Sequence, residues 1–213
     1  MLPLASRLVC TAAIFISCLP SVASAGDLDA YWAPSPANAG YAVHNLVTLA
    51  QTFQAETTGV LDRVEVQVSR RPNATEPLVL ELRRLDPLGD LLATVNISAA
   101  SIPTLPVATT MTGVDLGAQS FAVTPGDQLA IVAKSTTSGL SEDDASYFWA
   151  ATISSPGYAN GMAWFANSPF NSYQSVEQQD FGFRTFVSVP EPTSLMLAIM
   201  ALIALVVGKC RKA

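Results

Sequence analysis

The chain has 213 residues, of which 50% are hydrophobic and 13% charged, and its net charge is −6. This composition excludes a disordered chain, which would lack apolar residues, and a nucleic-acid-binding protein, which would carry excess Lys and Arg. The length indicates one domain with short additional segments.

Residues 1–25 have the layout of a secretory signal peptide. Arg7 supplies the positive charge, Leu8 to Leu19 form an apolar stretch, and Ala23-Ser24-Ala25 is an A-x-A cleavage site. We therefore expect cleavage before Gly26. A buried N-terminal helix is disfavoured because the apolar run is short. A lipoprotein modified at Cys18 is disfavoured because the three preceding residues make a poor lipobox.

Residues 26–188 form an acidic body that contains no cysteine. Its 7 basic and 16 acidic side chains give a net charge of −9. All three cysteines of the chain, Cys10, Cys18 and Cys210, lie outside it. An exported domain without disulfides has to rely on its hydrophobic core, and this length is sufficient for one. Cysteine nucleophiles and thiolate metal sites are excluded from the body.

The hydrophobic periodicity of the body predicts strands. Apolar side chains alternate with polar ones at Val64, Val66 and Val68, and again at Leu78, Leu80 and Leu82. Asp86–Asp90 is a predicted turn that leads into a strand over Leu91–Ile97. Thr124–Asp127 is a second turn, between a strand at Ser120–Val123 and one with Leu129, Ile131 and Ala133. The last strand alternates at Phe181, Phe183 and Thr185 and ends near Val187.

No stretch of ten or more residues between positions 50 and 188 has helical spacing. Several short strands with Pro, Gly and Asn turns favour an all-β fold. We expect a single β-sandwich domain of jelly-roll type over residues 26–188.

The body shows no catalytic constellation. His44 is the only histidine of the chain, and neither a G-x-S-x-G nor an S-x-x-K motif accompanies it. We therefore expect His44 to be a strand or surface residue and the protein to be non-catalytic, without a cofactor. A pair of carboxylates for glycoside hydrolysis stays open, because their spacing is set only by the fold.

The densest acidic cluster is Glu142-Asp143-Asp144, in a predicted loop. Carboxylate oxygens suit Ca²⁺, which makes the cluster a weak calcium candidate. It lacks the alternating spacing of a calcium-binding loop, however. The favoured interpretation is a solvated loop with no metal.

Aromatic residues are concentrated late in the body, with 11 of the chain's 17 in residues 147–186. Carbohydrate sites stack sugar rings on Trp or Tyr and surround them with amides and carboxylates. Candidate stacking residues are Trp149, Tyr158, Trp164 and Tyr173, with Asn160, Asn167 and Asn171 interspersed. The alternative is that aromatics such as Phe148, Phe181 and Phe183 fill the core.

The chain ends in an uncharged apolar run, residues 194–207, followed by Lys209, Arg211 and Lys212. Thr193–Gly208 has 16 residues, slightly below the roughly 17–25 of a spanning helix, and the basic side chains can extend it by snorkelling. The basic tail predicts a cytoplasmic C-terminus, which places the body outside the cytoplasm.

Pro190-Glu191-Pro192 precedes this run, and its two prolines favour an extended backbone that suits a protease cleft. The tripeptide, the apolar run and the basic tail, in this order at the end of the chain, resemble the PEP-CTERM sorting signal. The resemblance implies recognition by an exosortase, an integral membrane enzyme that would cut near Pro190–Pro192. It also implies delivery of the body to the cell surface or extracellular matrix.

Three short pieces of the body look like exported bacterial β-sandwich modules that often precede such signals. They are Gln51-Thr52-Phe53, Thr124-Pro125-Gly126-Asp127 and Asp180-Phe181-Gly182-Phe183-Arg184. Some of these modules resemble carbohydrate-binding domains. We expect a non-catalytic surface or matrix protein, with a carbohydrate-binding module that contacts exopolysaccharide as the alternative and a glycan-active enzyme as the least favoured.

Overall fold

The computed structural model describes residues 26–34, 39–106, 108–137, 145–152, 157–167 and 172–189. The predicted signal peptide, the acidic cluster at 142–144, the 190–192 motif, the apolar run and the basic tail lie outside these residues. In the described part of the chain, no helix is long and apolar enough to span a bilayer.

The described chain is all-β, as predicted, with two antiparallel sheets around one hydrophobic core, in a sandwich-like arrangement. Its helical residues are two short 3-10 turns, Ala99–Ser101 and Gly117–Gln119. The strands are β1 Asp27–Trp32, β2 Gly40–Val43, β3 Val47–Gln54, β4 Gly59–Arg70, β5 Leu78–Arg84, β6 Leu91–Ile97, β7 Thr110–Asp115, β8 Phe121–Val123, β9 Gln128–Lys134, β10 Tyr147–Thr152, β11 Ala163–Asn167, β12 Gln174–Val176, β13 Asp180–Phe181 and β14 Phe183–Ser188.

The first sheet is built around β4, the longest strand. β14 and β10 pair with one edge of β4, while β7 and β8 pair with the other; β1 pairs with β14, and β2 and β13 pair with β10. The second sheet has the order β12-β11-β3-β9-β5-β6. The chain passes repeatedly from one sheet to the other, so neighbouring strands within each sheet are often distant in sequence.

The predicted alternation in β4 is confirmed, since Val64, Val66 and Val68 are fully buried in the core. The ladder with β14 places Val187 opposite Leu61 and Phe186 opposite Arg63, which leaves Asp62 as an extra residue. This bulge shifts the side-chain alternation by one position. Both Leu61 and Val64 therefore face the core although they are three residues apart.

Strict alternation of apolar and polar residues is typical of a half-buried strand, but both sides of β4 are buried in the structure. Glu65, Gln67 and Ser69, on the side away from the valines, are also buried. The reason is that β4 is a central strand, so side chains of neighbouring strands cover its outer side. Arg184 of the neighbouring β14, for example, pairs with the Glu65 carboxylate at 3.7 Å, and Arg63 of β4 itself pairs with it at 2.8 Å.

The two predicted turns are confirmed at the expected positions, between β5 and β6 and between β8 and β9. The last predicted strand is interrupted at Gly182, where the chain changes partner from β10 to β4. The N–H of Gly182 donates to Ala150 O at 2.9 Å, and its carbonyl accepts from Gln67 N at 2.9 Å. A Cβ at this position would lie 2.6 Å from the Gln67 side chain, which explains the glycine.

Candidate functional site

The structure separates the four candidate stacking aromatics into two pairs, and the first pair belongs to the core. Trp149 is fully buried, stacks on Phe181 with 4.8 Å between ring centroids, and donates its indole N–H to Gly182 O at 2.8 Å. Tyr158 packs edge-on against Phe183 at 5.1 Å, and burial raises the pKa of its hydroxyl to about 12. These two rings present no open face to a ligand, and Phe181 and Phe183 fill the core around them.

The second pair, Trp164 and Tyr173, is half-buried on the outer face of the second sheet. Trp164 of β11 lies opposite Ala50 of β3, whereas Leu49 and Phe53 of β3 face the core. Since alternate residues of a strand point to opposite faces, Trp164 points away from the core. Its indole Nε1 is buried without a hydrogen-bond partner among the described residues, which is uncommon for a polar group.

Small side chains occupy the middle of this outer face. Ala50, Ala130 and Val132 lie there on adjacent strands, are fully buried, and are not part of the core between the sheets. Larger side chains surround these small ones. They belong to Trp164, to Tyr173 and to the turn that connects β5 to β6, and they line cavities on this face. Two pockets result from this arrangement.

We call the first the Trp164 pocket; it has a volume of about 440 Å³. Its other lining residues are Thr52, Gln54, Leu85, Gln128, Ala159, Asn160, Gly161 and Met162. The Gln54 amide donates to Gly126 O at 3.2 Å and the Gln128 amide to Asn160 O at 3.4 Å, which orients both side chains. An indole beside oriented amides, with no ionised group in the lining, is a suitable environment for a neutral sugar ring.

Leu85 contributes an exposed apolar side chain to the rim of the Trp164 pocket. Its φ of 68° lies in the left-handed region, which is rare for leucine, and 62% of its surface is exposed. The backbone is held by hydrogen bonds, from Leu85 N to Gln128 O at 2.8 Å and from Arg84 N to Asp90 O at 2.9 Å. These two hydrogen bonds hold the Leu85 side chain at the rim of the Trp164 pocket.

The segment 157–162 supplies another part of the rim of the Trp164 pocket, and the buried carboxylate of Asp180 holds this segment in place. Asp180 accepts hydrogen bonds from Gly157 N at 3.1 Å, Tyr158 N at 3.0 Å and the Gln51 side-chain amide at 2.8 Å. A little further on, a Cβ at Gly161 would lie 1.8 Å from Thr52 O, so only glycine allows this close approach. The segment from 157 to 162 is thereby held against β3.

We call the second cavity the Lys134 pocket; its volume is about 480 Å³. Its lining residues are Asn45, Thr48, Val79, Arg83, Pro87, Leu88, Lys134, Ser135, Thr136, Ala166 and Tyr173. Lys134 and Arg83 both pair with the Glu81 carboxylate, each at 2.7 Å. Burial opposes ionisation of Glu81, but the hydrogen bonds from Lys134 and Arg83 outweigh it and lower its pKa.

Several residues of these pockets were not predicted, above all Gln54, Gln128, Leu85, Lys134 and Arg83. The alternation of β5 indicated that Glu81 and Arg83 share one face. It carried no information about Lys134, which is 53 residues away in the sequence and becomes a neighbour only through the β5–β9 ladder.

The other residues that the sequence suggested for a functional role form no site among the described residues. His44 forms an isolated bridge with Val47, is partly exposed, and accepts a hydrogen bond on Nδ1 from Leu46 N at 3.3 Å. Within the described ranges, no group of three His, Cys, Asp or Glu side chains is placed to hold a metal ion. The calcium candidate Glu142, Asp143 and Asp144 lies outside them, as do Pro190, Glu191, Pro192, Lys209, Arg211 and Lys212.

A scan against protein-family models finds no match for the chain, and no curated protein is significantly similar to it in sequence.

Proposed function

We propose that the chain is an exported, non-catalytic protein of the cell surface or extracellular matrix. An exosortase would process it at Pro190–Pro192 after transient anchoring through residues 194–207. The proposal is supported by the signal-peptide layout of residues 1–25 and by the resemblance of the C-terminal segment to a PEP-CTERM signal. The finer description of the fold as a jelly roll is also part of the proposal, supported by the repeated passage of the chain between two antiparallel sheets.

The sorting step is tested by replacing Pro190, Glu191 and Pro192 with alanine. The wild-type chain recovered from the cell surface should have lost the apolar run, and the variant should keep it and stay in the membrane fraction. Intact-mass measurement of each fraction reports this directly. Pro125→Ala, at an exposed turn proline, is the control and should be processed normally. Equal processing of the triple variant would contradict the proposal.

The geometry favours a second function for the body, the binding of a polysaccharide. The observation that carries it is the position of Trp164 and Tyr173 on the same outer face, each lining a pocket with amide or hydroxyl neighbours. Glycan binding needs such an accessible aromatic flanked by oriented polar groups. It does not need a nucleophile or a general base, which agrees with the absence of a catalytic motif in the sequence.

Polysaccharide binding is tested with Trp164→Ala in the full-length chain. We expect its affinity for the bound polysaccharide to fall by about tenfold or more, since buried aromatic anchors dominate such contacts. Tyr31→Ala is the matched control, because Tyr31 is a 56% exposed aromatic on β1 of the first sheet and lines neither pocket. Unchanged affinity of Trp164→Ala, or an equal loss in both variants, would contradict the assignment.

A further inference from the structure

The Lys134 pocket carries a positive charge in an otherwise acidic body. Lys134 is the only lysine among the described residues, and together with Arg83 it shares a single carboxylate, that of Glu81. The three groups therefore sum to one positive charge. The other described residues that line the pocket are uncharged. This contrasts with the net charge of −9 for residues 26–188.

Lys134 keeps hydrogen-bonding capacity for a ligand. Its ammonium donates to both oxygens of Glu81, at 2.7 and 2.8 Å, which uses two of its three N–H groups. The side chain is 37% exposed, so the third donor is accessible while the charge is partly shielded from water. Arg83 is less accessible to a ligand, because its side chain is only 21% exposed and also donates to Gly89 O at 2.9 Å. Lys134 is therefore the main contact for an incoming anion.

The neutral part of the lining suits a sugar ring. Tyr173 is half-buried, and burial raises the pKa of its hydroxyl to about 12, so it stays a neutral donor. Thr48, Ser135, Thr136 and Asn45 add hydroxyl and amide groups. The volume of about 480 Å³ lies within the range of small-ligand sites.

We propose that the Lys134 pocket binds the carboxylate of an acidic sugar, and that the ligand of this face is a uronate-containing polysaccharide. The inference rests on the proposed glycan binding and adds its ligand class. The carboxylate would accept a charge-assisted hydrogen bond from Lys134, and the sugar ring would lie against Tyr173. The neighbouring Trp164 pocket has no charged lining residue and would take an uncharged part of the same chain.

The test compares polygalacturonate with the same polymer after methyl esterification, because esterification removes the charge and keeps the sugar. Affinities of the full-length chain are measured by calorimetry at low and high salt. Lys134→Met should weaken binding of polygalacturonate by about tenfold at low salt, the loss expected for a charge-assisted hydrogen bond. It should leave binding of the ester unchanged. Lys134→Arg should retain most of the affinity.

Arg184→Met is the matched control, because it removes one positive charge from the outer face of the first sheet. An equal loss in both variants would show that only the overall charge matters and would overturn the inference. Equal binding of both polymers by the wild-type chain, still lost in Trp164→Ala, would overturn it and leave glycan binding intact. Binding of neither polymer nor any neutral glycan would overturn both. Thermal melting of each variant verifies that it is folded.

Discussion

The outer faces of the two sheets differ. We call the outer face of the first sheet the closed face, because long charged side chains cover it. We call the outer face of the second sheet the hollow face, because it contains the Trp164 and Lys134 pockets. On the first sheet, Arg63 lies beside Glu65 and within 5.7 Å of the Phe186 ring centroid, so extended side chains cover the surface. On the second sheet, Ala50, Ala130 and Val132 leave room that larger neighbours only partly fill. Small side chains on adjacent strands thus lie beneath the two pockets of the second sheet, whereas long charged side chains cover the first.

We expect the stability and the binding of the hollow face to depend on the buried hydrogen bonds of Asp180. Asp180→Ala should therefore have the largest effect of all the proposed substitutions. The substitution leaves the N–H groups of Gly157 and Tyr158 and the Gln51 amide without their acceptor. Unpaired buried donors are costly, and we expect a loss of about 3 kcal/mol in the free energy of unfolding, together with weaker polysaccharide binding. Chemical denaturation measures the first and calorimetry the second.

Asp27→Ala provides the comparison for this variant, since Asp27 is an exposed carboxylate on β1. It should change stability by less than about 0.5 kcal/mol. If both substitutions had the same small effect, Asp180 would not hold the pocket segment in place.

Part of the difference between the two sheets could be predicted from the sequence. The alternation at Val64, Val66 and Val68 identified a strand and its core side, because the period of two is local information. The same rule could not distinguish Trp149 from Trp164, since each stands in a short apolar strand. Their faces are set by the ladders, in which Trp149 lies opposite the core residue Val68 and Trp164 opposite the outward Ala50.

The bulge at Asp62 and the break at Gly182 could not be predicted for the same reason. Each depends on how many residues the partner strand offers at that point. The Lys134 pocket is the clearest example of a feature that could not be predicted, because nothing in the sequence indicates that Glu81 and Lys134 become neighbours. The fold class therefore followed from local periodicity, and the site followed from long-range register.

The charge cluster of the hollow face should make stability sensitive to acid. Because the folded-state pKa of Glu81 is lowered, its contribution is present above the unfolded-state value of about 4.5 and is lost as the pH falls through the folded-state pKa. Glu81→Gln should cost about 1 kcal/mol at neutral pH, since it leaves Lys134 and Arg83 without their counter-charge. The deficit should start to shrink below about pH 4.5 and should vanish only below the lower folded-state pKa, where the wild-type carboxyl is also neutral.

Urea denaturation at a series of pH values measures this deficit. Glu177→Gln is the control at an exposed carboxylate and should show no such deficit at neutral pH. A deficit for Glu81→Gln that stays constant from pH 7 to pH 3 would contradict a role for the charge.

The closed face should be the least sensitive to substitution, and Asp115→Asn tests it. Asp115 contacts Arg63 at 3.3 Å, but its side chain is 76% exposed, so water and salt screen the pair. We expect a loss below about 0.5 kcal/mol that disappears at high salt, and no change in polysaccharide binding. A loss as large as that of Asp180→Ala, measured by the same denaturation, would mean that an exposed ion pair stabilises the fold as strongly as the buried hydrogen bonds of Asp180. The proposed difference in sensitivity between the closed face and the hollow face would then be wrong.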